Sequence, residues 1–223
     1  MEEARAYDEL RTGFTAAVSH ELRTPLARLL SLLESAALPG SDRDALLAQA
    51  REQVEEMSEL VDDVLFLSEL ESGREVVALG ATPALPVLEE VRGRLADSAE
   101  RADVTIRIEG EPGTTLPLRR RMLQVVAENL VQNAIRYAGP GATLTLSVRP
   151  GVLEAADDGR GVEEDELPRL FERFFRSDRA RASRGTGLGL AIVKHVVVSA
   201  GGAVEASGGP GRGLRVICSF PAR

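Results

Sequence analysis

A histidine and a carboxylate stand side by side at positions 20 and 21, within the stretch SHELRTPLARLL that begins at Ser19. An imidazole is a nucleophile near neutral pH, and a neighbouring carboxylate can accept the N–H of one ring nitrogen while the other nitrogen attacks. His20 and Glu21 therefore have the composition of a nucleophile with its base. The alternative is a solvated surface histidine without a chemical role, which is the usual situation for a single histidine.

The apolar residues of this stretch lie on the opposite side of a helix from His20. At about 100° per residue they fall roughly 160° to 240° around the axis from the imidazole. They are Val18, Leu22, Leu26, Leu29 and Leu33. The helical wheel therefore predicts an exposed His20 that another macromolecule can reach.

Thr24 and Pro25 follow one turn later. The hydroxyl of Thr24 lies about 40° around the axis from His20, on nearly the same face. Pro25 has no N–H for the carbonyl of Glu21 and its ring crowds that carbonyl, so the helix should bend just beyond the histidine. The pattern predicts a nucleophilic histidine on a helix built to flex.

A second group of polar residues lies in the stretch ENLVQNAIRYAG. Asn129 and Asn133 are four residues apart on one helical face, with Arg136 and Tyr137 one turn further. Amide oxygens can hold Mg²⁺ beside phosphate oxygens and waters, an arginine can meet phosphates, and an aromatic ring can stack on a base. The alternative is a helix whose polar residues simply face water.

The turn ADDGRGV follows a strand-like run and holds two candidate carboxylates, Asp157 and Asp158, before Gly159 and Gly161. A carboxylate can accept the exocyclic amino group of adenine, and glycines let the backbone approach a ligand. The residues alone do not choose between the two carboxylates, and an acidic turn without a ligand is the alternative.

A glycine-rich loop opens a later helix in RGTGLGLAIVK. Such a loop offers backbone N–H groups to phosphates at a helix N-terminus. The loop is not a Walker sequence, because no Gly-Lys-Ser/Thr follows, and it lacks the strand–turn–helix context of a dinucleotide fingerprint. The candidate ligand-binding residues are Arg184, Gly185, Thr186, Gly187, Leu188 and Gly189. Gly211 and Gly213 form a further glycine pair that is either part of the site or a hairpin turn.

The candidate residues lie in two segments of different character, and the boundary between these segments is near residue 73. Residues 1–73 are helical by spacing and predict a two-helix hairpin, which buries little alone and should dimerise into a four-helix bundle. Ser41 and Asp44 resemble a capping box at the second helix. The apolar stripe of that helix is Met57, Leu60, Val61, Val64 and Leu67. A solitary coiled-coil spacer is the alternative.

Residues 74–223 alternate short strand-like runs with helical ones. The strands are VTIRI, TLTLSV, VLEAAD and RVICSF, and the helices are PVLEEVRGRLADSAERA, RMLQVVAENLVQNAIRYA and GLGLAIVKHVVVSAG. This alternation predicts an α/β sandwich with helices on one face of a mixed sheet. The basic segment 176–185 is predicted to be a loop.

Composition restricts the partners. The formal net charge of −8 argues against nucleic acid as a partner. Cys218 is the only cysteine, which excludes an intrachain disulfide. No apolar run reaches the length of a membrane span and the N-terminus has no signal-peptide character, so contact with a membrane would need a segment outside this sequence.

Taken in order, these segments resemble the catalytic core of the bacterial two-component sensor histidine kinases. FTAAVSHELRTPLARLL is similar to the phosphoacceptor motif of that family. The asparagine pair, the Asp-x-Gly-x-Gly turn, LFERFFRSD, the Gly-x-Gly-x-Gly loop and the last glycine pair occur in the order of its ATP-binding domain, which has the Bergerat-type fold of gyrase and Hsp90. The resemblance covers nearly the whole chain.

The resemblance implies a reaction. His20 would receive the γ-phosphoryl group of Mg²⁺–ATP with help from Glu21 and pass it to an aspartate on the receiver domain of a response regulator. The family pattern assigns adenine to Asp157, and it assigns dephosphorylation of the regulator to Thr24. Two alternatives remain, a protein whose main output is that phosphatase reaction and a dimeric scaffold whose ATP domain is inactive.

The resemblance also places several neighbouring residues. Phe171, Phe174 and Phe175 would anchor a lid before the glycine loop, although they could also be ordinary core. Arg181 or Arg184 of the lid could reach the γ-phosphate. His195 is expected to be structural. Arg119 stands where the family often has an acidic residue, a departure away from the nucleotide.

The family assembly and location follow from the same resemblance. Its members are homodimers, and a sensor and membrane anchor usually precede the core. The chain would thus be a cytoplasmic fragment of a protein anchored in the bacterial inner membrane. The signal, the cognate regulator, and whether phosphorylation occurs within one chain or across the dimer do not follow from the sequence.

Overall fold

The computed structural model describes residues 2–72, 80–177 and 185–221, and it describes side chains from residue 17 onwards. The chain separates into two compact units, one ending at Phe66 and the other beginning at Leu67. Within the described residues no helix combines the length and the apolar character that crossing a membrane requires.

The first unit is a helical hairpin, which confirms the prediction. Its helices are α1 (Glu2–Ala36) and α2 (Arg43–Glu71), the end of which extends into the second unit. The predicted capping box at Ser41 and Asp44 is wrong. The N–H of Ala45 donates to Oδ1 of Asp42 at 3.1 Å, so Asp42 caps α2. The Ser41 hydroxyl instead donates back to the Leu38 carbonyl at 2.9 Å and closes the turn.

The apolar stripe predicted on α1 divides into two. Leu26 and Leu33, both expected on the covered side, are 50% and 51% exposed. A seam between two helices is narrow and follows a seven-residue repeat, so it takes in fewer positions than a broad wheel sector. The covered seam of α1 is Val18, Leu22, Pro25, Leu29 and Leu32. The exposed stripe beside it is Leu26, Leu30 and Leu33.

The same division occurs on α2. Val61, predicted on the covered stripe, is exposed, whereas its neighbour Leu60 is buried. The covered or partly covered seam of α2 within the first unit is Leu46, Ala50, Gln53, Met57, Leu60 and Val64. The exposed apolar residues are Leu47, Val54, Val61 and Leu65. Each helix of the hairpin therefore carries a second apolar stripe that this chain alone leaves open.

The second unit combines helices with a mixed sheet, as predicted. Its helices are α3 (Ala84–Arg101), α4 (Arg120–Tyr137) and α5 (Gly189–Ser199), with a 3₁₀ turn at Leu167–Arg169. Two short strands, β1 (Thr82–Pro83) and β3 (Thr115–Leu116), pair antiparallel. The main strands are β2 (Thr105–Gly110), β4 (Thr143–Arg149), β5 (Val152–Asp157), β6 (Ala203–Gly208) and β7 (Leu214–Ser219).

The main strands form one sheet in the order β2-β4-β5-β7-β6 among the described residues. Strands β2 and β4 are parallel and the other neighbours are antiparallel. Alternate residues of β4 are buried, namely Leu144, Leu146 and Val148. Helices α3, α4 and α5 pack on β2, β5 and β6. The core therefore lies between the helices and one face of the sheet.

Strand β6 and the two short strands were not predicted. The run AVEASG has few large apolar residues, so its strand character comes from pairing with β7. This pairing also decides between the two interpretations of GGPGRG. The segment is a hairpin turn that joins β6 to β7, and the amide of Arg212 donates to the Gly209 carbonyl at 2.9 Å within it.

Candidate functional site

His20 and Glu21 lie together on the surface of α1. Their side chains are 76% and 36% exposed, and Nδ1 of His20 is 3.6 Å from Oε1 of Glu21. The imidazole thus points away from the covered seam, as the wheel predicts. Because Nδ1 faces the carboxylate, Nε2 is the ring nitrogen that faces away from Glu21.

Thr24 is exposed and Pro25 is buried in the seam, although α1 runs through both positions. Pro25 cannot donate to the Glu21 carbonyl, so one hydrogen bond of the helix is missing one turn from His20. The predicted bend remains a prediction. The exposed group on this part of α1 therefore comprises His20, Glu21 and the hydroxyl of Thr24.

An open cleft with a volume of about 210 Å³ lies in the second unit. It is formed by the last turns of α4, the segment after β5, the residues before 178 and the glycine loop that leads into α5. Of the predicted residues, it brings together Asn129, Asn133, Arg136, Tyr137, Gly161, Phe175, Thr186, Gly187 and Gly189. Arg181 and Arg184 lie outside the described residues.

Other predicted residues border the cleft or support it. The side chain of Leu188 is fully buried, and its N–H donates to Oγ1 of Thr186 at 3.2 Å. Thr186 is itself buried, which fixes the turn that starts α5. A Cβ on Gly185 would lie 2.6 Å from the hydroxyl of Tyr137, so this ring reaches the start of the glycine loop.

Asn129 is oriented by its own helix. Its Nδ2 donates to the Val125 carbonyl at 2.9 Å. Its Oδ1 points at the start of α5, where a Cβ on Gly189 would lie 2.6 Å away. The amide therefore presents an oxygen, the atom that Mg²⁺ prefers, next to the N–H groups of a helix N-terminus. Asn133 lines the cleft one turn later.

The two adjacent aspartates have different roles. Oδ1 of Asp158 accepts the N–H of Thr143 at 2.6 Å, which ties the turn to β4. Oδ1 of Asp157 accepts the N–H of Gly159 at 3.0 Å, and this carboxyl is largely covered. Burial raises the pKa of Asp157, while hydrogen bonds from the Gly159 and Leu214 backbones act in the opposite direction.

Gly159 and Gly161 are needed for packing against neighbouring backbone. A Cβ on Gly159 would be 2.3 Å from the Ala138 carbonyl oxygen, and one on Gly161 would be 2.0 Å from that of Gly209. The Gly213 N–H also donates to the Gly159 carbonyl at 3.1 Å. The turn of residues 209–213 thus packs against residues 157–161, which we call the aspartate turn, and stabilises it.

The cleft also contains residues that the sequence analysis did not select. They are Gln132, Arg160, Val162, Glu163, Glu166, Leu170, Arg176, Ser177, Leu190 and Leu214. Arg160 stands between two selected glycines and Gln132 beside a selected asparagine, so their positions contained the signal. Leu214 enters from β7 through tertiary pairing, and no local pattern marks it.

Comparisons with known proteins agree with this arrangement. Residues 10–73 match the His Kinase A (phospho-acceptor) domain, and residues 118–223 match the histidine kinase-, DNA gyrase B- and HSP90-like ATPase. The chain is 34% identical over 220 residues to the sensor-like histidine kinase SenX3 of Mycolicibacterium smegmatis, covering 95% of this chain and 57% of SenX3.

Solved structures show the same architecture. The histidine kinase AdeS of Acinetobacter baumannii has a TM-score of 0.70 at 28% identity, over 90% of this chain and 98% of that one. ShkA, solved in complex with AMPPNP, has a TM-score of 0.61 at 30% identity, over 93% and 46%. The chain spans little more than half of the length of SenX3. With its phospho-acceptor hairpin and its ATPase domain, this chain belongs to the sensor histidine kinases.

Proposed function

We propose that the chain transfers the γ-phosphoryl group of ATP to His20. Nε2 of His20 attacks the γ-phosphorus, the bond from that phosphorus to the bridging oxygen breaks, and ADP leaves. Glu21 accepts the Nδ1 proton as the P–N bond forms. The observation that carries this proposal is the exposed His20–Glu21 pair, with Nδ1 3.6 Å from the carboxylate, in a chain that also has a nucleotide-type cleft. Positioning and charge stabilisation supply most of the catalysis in such a transfer.

The residues of the cleft have proposed roles toward Mg²⁺–ATP. Asp157 accepts the adenine amino group, and Tyr137 packs on the base. Arg136 meets phosphate oxygens. Backbone N–H groups of the glycine loop bind the phosphates. The loop residues assigned to this role are Arg184, Gly185, Thr186, Gly187, Leu188 and Gly189. ShkA was solved in complex with AMPPNP, which supports a nucleotide as the ligand.

The amide oxygens of Asn129 and Asn133 fit a magnesium ion. They are hard oxygen donors on one face of α4, and Oδ1 of Asn129 already faces the loop expected to hold phosphates. When bound, Mg²⁺ would neutralise charge on the phosphate oxygens. The two asparagines would then hold it together with phosphate oxygens and waters.

A homodimer is the assembly that fits the hairpin. The stripe Leu26, Leu30 and Leu33 on α1 and the exposed apolar residues of α2 have no cover within the described chain. A second copy would bury both stripes in a four-helix bundle, and this burial is favourable by about 25 cal/mol per Å². The exposed His20 would remain outside that bundle.

The proposed partner is the receiver domain of a response regulator, which takes the phosphoryl group from His20 on an aspartate. Thr24 lies on the exposed side of α1, one turn from His20. Its hydroxyl could hold a water in line with the aspartyl phosphate, so we assign it to dephosphorylation of the regulator. Nucleic acid is not a proposed partner, because of the net charge of −8.

Location is proposed from the relatives. SenX3 is a sensor-like histidine kinase of which this chain covers 57%. A cytoplasmic core beneath an anchored sensor in the bacterial inner membrane fits that relation. A phosphatase-dominant protein or an inactive scaffold would have the same fold, so activity has to be measured.

The test is incubation of the chain with ATP labelled at the γ-phosphate. We expect a label that is lost in acid and kept in alkali, the stability of phosphohistidine, and we expect none on the His20→Gln variant. An acid-stable label, or an equal label on the variant, would place the phosphoryl group elsewhere. No label on a chain that binds ATP would favour the scaffold or the phosphatase.

A further inference from the structure

Arg160 is held by its backbone in the middle of the aspartate turn. Its N–H donates to the Ala138 carbonyl at 2.9 Å, and its carbonyl accepts the N–H of Gly211 at 2.7 Å. The two hydrogen bonds tie the turn to the end of α4 on one side and to the β6–β7 hairpin on the other. They therefore fix the point from which the Arg160 side chain leaves.

The side chain then lies across Gly139. A Cβ at position 139 would be 2.6 Å from Nε and 3.2 Å from Cζ of Arg160, so only glycine leaves room for the guanidinium there. The backbone of Gly139 is also left-handed, with φ +94°. The place is the C-terminal end of α4, where the helix dipole favours a cation. Local geometry thus directs this guanidinium along the wall of the cleft.

Among the residues that the structure describes in this unit, the Arg160 guanidinium forms no ion pair. Arginines elsewhere on this unit pair with carboxylates, as Arg149 does with Glu154 at 3.2 Å and Arg212 with Glu164 at 2.7 Å. Within residues 80–177 and 185–221, no carboxylate lies in ion-pair range of Arg160, although it lines the cleft. A positioned cation that forms no ion pair within these described ranges can interact with a ligand in the cleft.

We propose that Arg160 binds the purine base of the nucleotide. Arg160 lines the cleft and directly follows Gly159, whose N–H holds the carboxylate of Asp157, the residue assigned to adenine in the proposed function. The phosphates are assigned to a different segment, the glycine loop, where Asn129 faces Gly189. A planar guanidinium stacks on an aromatic face, and its N–H groups can only donate, which suits the acceptor nitrogens of a purine ring.

This inference rests on the proposed function, because it requires a nucleotide in the cleft. The inference goes beyond the proposed function because it assigns Arg160 a direct contact with the uncharged purine base. A contact with the base has a signature that a contact with phosphate lacks. Its contribution to affinity is independent of the number of phosphates and changes little with salt.

The test measures the dissociation constants of ATP, ADP and AMP by calorimetry for the whole chain and two variants. In Arg160→Ala we expect a loss of about tenfold, or about 1.4 kcal/mol, that is equal for all three nucleotides. Gly139→Ala keeps the charge but displaces the guanidinium, so it should show the same pattern. Because the Arg160 side chain is exposed, Arg160→Ala should keep its melting temperature.

Three results would overturn the inference. Unchanged affinities in Arg160→Ala would exclude a contact. A loss that increases from AMP to ATP and disappears in high salt would assign Arg160 to the phosphates. A parent chain that binds none of the nucleotides would refute the proposed function itself, and the inference with it. If Gly139→Ala does not fold, Arg160→Ala alone still decides.

Discussion

The backbone N–H of Phe174 donates a hydrogen bond to the carbonyl oxygen of Gly187 at 3.0 Å. Phe174 has φ +62°, a left-handed conformation that costs a bulky residue about 1–3 kcal/mol. The hydrogen bond and the close contact with Gly187 compensate for this cost. The pair therefore holds the phenylalanine segment against the glycine loop at the rim of the cleft.

The Phe174–Gly187 contact predicts the effect of Gly187→Ala. A Cβ at 187 would lie 2.8 Å from the Phe174 carbonyl carbon, at φ +69°. We expect ATP affinity to fall by at least about tenfold, because the loop must move away. Gly211→Ala is the matched control, since Gly211 has φ +70° but open space around it. This control should lose about 1–2 kcal/mol of stability and keep its affinity. Equal affinities of both variants in calorimetry would contradict the role of the contact.

Asp157→Asn should weaken ATP binding and leave the fold intact. Asparagine can still accept the Gly159 N–H, but its amide offers one acceptor oxygen where the carboxylate has two. Asp158→Ala is the control, because Asp158 holds the N–H of Thr143 at 2.6 Å. We expect it to lower the melting temperature and to keep most of the affinity. Full affinity in Asp157→Asn would move the adenine contact away from Asp157.

The same aspartate predicts a dependence of stability on pH. Burial raises the pKa of Asp157, so the folded chain keeps a proton there at pH values where the unfolded chain has lost it. Its contribution to the free energy of unfolding is greatest below the ordinary aspartate pKa and falls as pH rises through the raised pKa. Asp157→Asn should therefore gain stability relative to the parent as pH rises from about 4 to about 7. Urea unfolding without nucleotide would measure it, and parallel pH curves would speak against it.

The exposed stripe of α1 predicts the effect of a charge in the hairpin. Leu30 is 59% exposed in the single chain and is central in that stripe, so Leu30→Glu should shift a dimer toward monomer. Burying one leucine contributes about 1.5–3 kcal/mol, and a symmetric dimer loses it twice. Leu38, 62% exposed beyond the end of α1, provides the control in Leu38→Glu. Sedimentation that shows equal dissociation for both variants would refute the stripe as the interface.

Thr24→Ala should separate two reactions at one histidine. The exposed hydroxyl of Thr24 is one turn from His20, but the attack on ATP has no evident need of it. We expect dephosphorylation of the regulator to fall at least about tenfold and autophosphorylation to stay within about twofold. Both activities are assayed on one preparation, with Thr24→Ser as the control that keeps a hydroxyl. Equal losses of both activities would mean that Thr24 only shapes the helix at Pro25.

Periodicity and glycine patterns were sufficient for most of the fold. The helices, the strand VLEAAD and the exposure of His20 follow from spacing, because burial of an amphipathic element depends on its period. The seam of the hairpin did not follow, since one wheel sector contained both the covered Leu29 and the exposed Leu26. The narrow contact between the two helices covers Leu29 and leaves Leu26 exposed, and the helical wheel does not contain that contact.

The site was predictable where chemistry lies in a local motif. Asn129, Asn133 and Gly187 were found because their spacing is short, and the cleft contains all three. The place of Arg160 between two glycines was visible in the sequence, but the position of its side chain across Gly139, on which its proposed role rests, is set by tertiary structure. The residues alone left Asp157 and Asp158 open and the family pattern selected Asp157, whereas the hydrogen bond from Thr143 to Asp158 depends on β4 and could not be predicted.

The position of β7 also determines when the lining of the cleft becomes complete during synthesis. It lies between β5 and β6, although the ribosome makes it after both. Until residues 214–219 emerge, β6 has no neighbour in the sheet and the Gly159 carbonyl lacks its bond from Gly213. A nascent chain that ends after α5 therefore contains the asparagines and the glycine loop but lacks Leu214, which lines the cleft from β7. The complete lining of the cleft thus becomes available only after the last strand has been made.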